Sequence, residues 1–139
     1  MNHFLKNLPL LICGGIIIAI IYQSALVAPA INKLLSAKDA SKFLRYIWPK
    51  FFIIISFLSL MSFFLMKFFN EKNTFVRNLF IASFLISIIC YIMIPYMNNA
   101  SDTLEKGTFQ VLHIINIALT ISVLVINAII FFKWNYDSI

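Results

Sequence analysis

The sequence predicts an all-α integral membrane protein, a four-helix bundle with a short interfacial amphipathic helix between helices one and two. Three observations carry this. Hydrophobic residues make up 62% of the 139 and charged residues only 12%, where a soluble domain carries about 25% charge. The intervals 7–32, 51–66, 78–101 and 107–132 hold no Lys, Arg, Asp or Glu. A helix needs roughly 20 apolar residues to cross the hydrocarbon core, and three of those intervals are longer than that.

The first interval gives a span over about 8–28. Pro9 stands in its opening turn and Pro29 after its last, positions that tolerate a residue without an N–H. Lys6 ahead of an apolar run, with Ala28-Pro29-Ala30 after it, also resembles a secretory signal. The run from Leu8 to Val27 exceeds the usual apolar region of about 7–15 residues, and Pro29 sits inside the cleavage triplet, so the stretch is read as a retained span. Gly14-Gly15 with Ala19 makes a small-xxx-small surface, expected to serve packing within the bundle. The second interval is short, but Lys50 and Lys67 at its ends can snorkel, giving a span over about 49–69 opened by Pro49. The third span covers about 78–97 with Pro95 near its close, and the fourth about 109–132. The chain 1–139 is then one domain.

Between the first two spans, Ile31, Leu34, Leu35, Ala40, Phe43, Leu44, Ile47 and Trp48 recur at helical spacing. Ser36 followed by Asp39 is a capping pattern, and Lys38, Lys42 and Arg45 fall on the other face. This predicts an amphipathic helix over about 36–48, lying on the membrane or packing over the bundle rim. Orientation follows basic residues in short loops. Lys6, Lys67, Lys72, Arg77 and Lys133 stand on one side and Lys33, Lys38, Lys42, Arg45, Lys50 and Lys106 on the other. The counts nearly balance. Both termini are expected in the cytoplasm, because four of the opposing charges belong to the amphipathic stretch and its end.

Four crossings bring the end of helix one, the start of two, the end of three and the start of four to one membrane face. The more polar residues gather there: Gln23, Ser24, Asn32, Tyr46, Tyr91, Tyr96, Asn98, Asn99, Asp102, Glu105, His113 and Asn116. The other half carries small or weakly polar groups, Cys13, Ser62, Ser83 and Asn127. The sequence therefore predicts a polar vestibule at one end and an apolar, closely packed half opposite. Its candidate ligand-binding residues are Gln23, Tyr46, Tyr91, Asn98, Asp102, His113 and Asn116; Gly14, Gly15, Pro29, Pro49 and Pro95 have structural roles. His113, Asn116 and Thr120 share one helical face, which should turn inward because polar groups facing lipid are costly. They either line a pocket or only hydrogen-bond across the bundle.

Several chemistries are disfavoured. The net charge of +6 comes from 11 basic and 5 acidic residues scattered between apolar runs, which is no nucleic-acid footprint. No acidic residue lies inside a span, as proton-coupled export would need. His3 and His113 are expected at opposite faces about 30 Å apart, too far to share one haem iron. Cys13 and Cys90 differ in depth and offer no disulfide. No catalytic site and no metal site is expected, and the sequence names no cofactor.

A Gly-rich first helix ending in Val27-Ala28-Pro29-Ala30 leads through an amphipathic stretch into Tyr46-Ile47-Trp48-Pro49-Lys50-Phe51-Phe52, and the fourth helix opens with Phe109-Gln110-Val111-Leu112-His113. This order resembles the transmembrane-protein-205-like family, in bacteria the domain of unknown function 4149, over nearly the whole chain. The resemblance implies a four-helix integral membrane protein and no established reaction. The family tends to carry Ser three residues after that histidine and Asn seven after it; here they are Asn116 and Thr120.

The leading functional expectation is a non-enzymatic multi-pass membrane protein, in the inner membrane if the host is bacterial, that binds or passes a small molecule, ion or lipid through the vestibule. The alternatives are an accessory subunit of a larger membrane complex and a small redox or haem protein using His113. Its surroundings are the lipid bilayer, with a homo-oligomer or a membrane-complex partner as the protein contact and no nucleic acid.

Overall fold

The computed structural model describes residues 2–69 and 73–137, with side chains for 4–69 and 73–134. Lys72 and the side chains of His3 and Tyr136 lie outside the described residues. The elements are α1 (Asn2–Tyr22), one π-helical turn (Gln23–Val27), α2 (Ala28–Leu34), α3 (Ala37–Phe69), α4 (Thr74–Asp102) and α5 (Lys106–Asp137). α1, the π turn and α2 run on as one first helix, so four apolar helices are long enough to cross a membrane.

These helices overrun the expected spans. At about 1.5 Å per residue, the 33 residues of α3 reach some 50 Å, against a hydrocarbon core of about 30 Å. The stretch expected as a separate amphipathic helix over 36–48 is the beginning of α3. The capping pattern does form: the Asp39 N–H donates to Ser36 Oγ (3.2 Å), and the Ser36 hydroxyl donates to Asp39 Oδ2 (2.7 Å). Pro49 does not break the helix. It removes one N–H, while Trp48 stacks on Phe52 (5.6 Å between centroids) and meets Phe51 edge-on (5.5 Å), tying the turns on either side together.

The other prolines also depart from the expected ends. Pro9 and Pro95 stand inside α1 and α4, a placement membrane helices tolerate. Pro29 is the second residue of α2, and the helix continues past it to Leu34. The π turn immediately before it supplies the reason. There the Ala28 N–H reaches back five residues to the Gln23 carbonyl, which loosens the coil just where the proline ring would press on the carbonyl four residues earlier.

α1 packs on α3 and α5, and α4 packs on the same two, so α1 and α4 lie diagonally across the bundle. This is the up-down-up-down arrangement of short-loop bundles. One end is closed by Cys13, Met66, Val76, Phe80, Ile130 and Trp134. Next to it lies a layer of Ile12, Ile16, Ile20, Ile55 and Val123. A chain of small polar groups threads the closed half. The Asn127 amide donates to Ser83 Oγ (3.1 Å), Ser83 and Ser59 share a hydrogen bond (3.1 Å), and the Cys13 thiol donates to the Asn127 carbonyl (2.8 Å). Gly14 faces this packing, since a Cβ there would meet the Phe131 ring at 3.9 Å. Gly15 does not: a Cβ there meets nothing within 4 Å.

α4 ends in a left-handed stop. Leu104 has φ +61°, and the Glu105 N–H donates to the Ala100 carbonyl (3.0 Å). That is the long-range bond of a Schellman motif, with leucine where glycine is usual.

Candidate functional site: a vestibule open on one side

Where α1 ends, the bundle opens. α2 approaches only the π turn and, at its margin, α3, so the first helix leaves α5 beyond Gln23. A cavity of about 1050 Å³ fills the gap, lined by all four helices. On α5 its wall runs from Phe109 to Leu124, a rise of about 22 Å. Ile20, Phe52, Ile94, Asn116 and Thr120 are the buried residues of its lining, and its floor is at Ile20 and Leu124, which belong to one apolar layer. Below the floor lies the closed half.

Of the residues the sequence singles out, Asn98, His113 and Asn116 line this cavity. The spacing of His113, Asn116 and Thr120 puts all three on its wall. The two deeper ones already have partners: the Asn116 amide donates to the Cys90 carbonyl (3.2 Å) and the Thr120 hydroxyl to the Asn116 carbonyl (2.8 Å). His113 stands nearer the mouth, exposed, its ring parallel to Phe109 at 5.6 Å.

The remaining candidates stand apart. Tyr46 is exposed and does not line the cavity, and the Lys50 ammonium lies 3.1 Å from its ring centroid. Tyr91 is exposed on the outer face of α4. Gln23 is buried beside the cavity without lining it, and its amide nitrogen has no hydrogen-bond partner among the described residues. Asp102 contributes through another residue. Its carboxylate accepts two hydrogen bonds from Arg45 (2.7 and 3.0 Å), and it is Arg45 that lines the mouth.

Arg45, Trp48 and Phe109 are site residues that sequence reasoning assigned elsewhere, to an amphipathic polar face, an aromatic belt and a helix-opening motif. Nothing local marks Arg45 as a partner of Asp102, 57 residues away.

The wall is graded. At the mouth, the side chains of Asn32, Asn98, Ser101 and His113 make no hydrogen bond among the described residues. Deeper down, the Asn116 amide and the Thr120 hydroxyl donate to backbone carbonyls and the rest of the surface is aliphatic or aromatic. Among the described residues no three His, Cys, Asp or Glu side chains converge as a metal site would require. Such a wall can hold a molecule by a polar end and an apolar body. No family model, curated protein or solved structure matches the chain.

Proposed function

We propose that this multi-pass membrane protein is non-enzymatic and that its vestibule binds a small molecule drawn from the membrane. The observation that carries the reading is a cavity open at one end and sideways, but shut at the other by a packed core. A dead-end cavity suits holding a ligand better than passing one through. Native mass spectrometry of the protein released gently from detergent tests it. The wild type should carry a retained small mass, and Ile117→Trp, which places bulk at the cavity edge, should lose it while remaining folded. A bare wild type overturns the reading.

For a bacterial host, the helical build supports the inner membrane over the outer one, whose spanning proteins are barrels. Cytoplasmic termini, with the vestibule opening to the opposite face, complete the proposal. The motif likeness supports assigning the chain to the transmembrane-protein-205-like family. The accessory-subunit reading has one observation behind it: Gly15 leaves an open notch on the outer face of α1, beside exposed Leu11, Ile18 and Tyr22. A stoichiometric second chain in the same mass spectrum would favour it.

A further inference from the structure

We infer that the vestibule takes a single-chain amphiphile with a carboxylate head, of the fatty-acid class, admitted sideways from the bilayer between the first helix and α5. This rests on the ligand-binding reading above and narrows it.

The side opening comes first. Ile21 on one edge and Ile117 and Ile121 on the other line the cavity and are about half exposed, on the flank where the first helix leaves α5. In a bilayer that flank meets acyl chains, so the cavity is continuous with the lipid phase. Its dimensions then select an occupant. From His113 to Leu124 the wall rises about 16 Å, close to the ~15 Å that one leaflet contributes to the hydrocarbon core. One acyl chain can lie along it with its head at the mouth. The volume of 1050 Å³ is just above the range of about 300–1,000 Å³ usual for a pocket enclosing one small ligand.

The gradient of hydrogen bonding sets the direction. The side chains of Asn98, Ser101 and His113 near the head position make no hydrogen bond among the described residues, while the Asn116 amide and the Thr120 hydroxyl toward the tail position each already donate to a backbone carbonyl. The charge of the head follows from Arg45. Its guanidinium already holds a carboxylate in the two-bond geometry that such a head would offer. That carboxylate, on Asp102, is 61% exposed and so can yield its place to a ligand. The vestibule end is basic as well: Lys33, Lys38, Lys42, Arg45, Lys50 and Lys106 face only Asp39, Asp102 and Glu105.

The test uses quenching of Trp48, which lines the cavity, by brominated palmitate in lipid nanodiscs holding the full chain. The other tryptophan, Trp134, lies in the closed core, so a Trp48→Phe control should show no saturable quenching. The expected result is saturable quenching of the wild type, with the matching brominated alcohol binding about tenfold more weakly for lack of the charged hydrogen bonds. Arg45→Gln should weaken the acid about tenfold. Asp102→Asn, which frees the guanidinium, should tighten it about threefold, in line with the small worth of an exposed pair. The opposed signs keep the test decisive even if one variant folds poorly. Equal binding of acid and alcohol, saturable binding of a brominated two-chain phospholipid instead, or weaker acid binding by Asp102→Asn overturns the head and chain assignment and leaves the vestibule reading standing. Quenching that only grows linearly with every probe, together with no retained mass, overturns both.

Discussion

Replacing Asn127 tests whether the closed half of the bundle is a seal or a path. The residue is fully buried on α5. Its amide donates to Ser83 Oγ (3.1 Å) and to the Val123 carbonyl (2.8 Å), while its Oδ1 has no partner among the described residues. Asn127→Leu loses the bond to Ser83, and interhelical side-chain hydrogen bonds in membranes average about 0.6 kcal/mol. The bond to Val123 adds little, since that carbonyl lies four residues back and serves the helix ladder. Ser83 keeps Ser59 as a partner. The loss is therefore about 1 kcal/mol. Against it stands relief of a buried carbonyl oxygen with no donor, about 1–3 kcal/mol. The leucine variant should be as stable as the wild type, or up to about 2 kcal/mol more stable. Asn127→Ala makes the same exchange but leaves a void, and should fall about 2 kcal/mol or more below the leucine variant. Unfolding in mixed micelles by sodium dodecyl sulfate, followed by far-ultraviolet circular dichroism, measures both. A leucine variant less stable than the wild type by over about 2 kcal/mol would refute this accounting. Any solute crossing from end to end must pass the level of Asn127, so the dead-end reading also requires both variants to keep the ligand mass of the wild type.

Gln23→Leu replaces a buried amide whose nitrogen lacks a partner and which does not line the cavity. It should raise stability by about 1 kcal/mol in thermal melts and leave retained ligand unchanged. Leu104→Gly removes a left-handed leucine, whose cost of about 1–2 kcal/mol exceeds the entropy glycine brings, so the melting temperature should rise. Cys13 and Cys90 are fully buried, so Thr108→Cys, exposed at the vestibule end, supplies one reactive thiol. A membrane-impermeant maleimide should label it from outside intact cells, and labelling only after permeabilisation overturns the proposed orientation.

The four crossings were legible because lipid excludes charge, and eleven basic and five acidic residues can fall only where spans end. The helix ends were not. Beyond the hydrocarbon, water accepts helix and loop alike: periodicity marks 36–48 as helical but not as continuous with the second span, and the composition of 98–102 does not report which one forms. The same limit divides the candidate site. Asn98, His113 and Asn116 share one end and line the cavity; helical spacing with Thr120 marks the last two, and position at the end of helix three marks Asn98. Tyr46 and Tyr91 share the end but not the face, and proximity to the vestibule level overrode their helical phase. Gln23 has the right phase, continuing the buried series Pro9, Cys13, Ile16 and Ile20. It fails for a reason no regular period contains: the π turn begins at that residue.

That turn makes the vestibule. A regular helix would carry the buried stripe on through Val27 and into the following turn, and the first helix would lie against its neighbours to its end. Instead the Ala28 N–H reaches five residues back to Gln23, an extra residue enters the coil, and no residue of Ala28–Leu34 is buried. Pro29 holds the defect in place, since it has no N–H to donate to Ala25. Widened turns of this kind recur at functional sites. Pro29→Ala restores the donor and lets the helix regularise, with part of the helix-propensity gap of about 3 kcal/mol between the two residues available to it. If the defect serves binding, the variant should be more stable and hold less ligand, the trade expected where function keeps a site loosely packed. A variant of unchanged stability that retains its ligand fully would mean that helix one leaves α5 for reasons other than this proline.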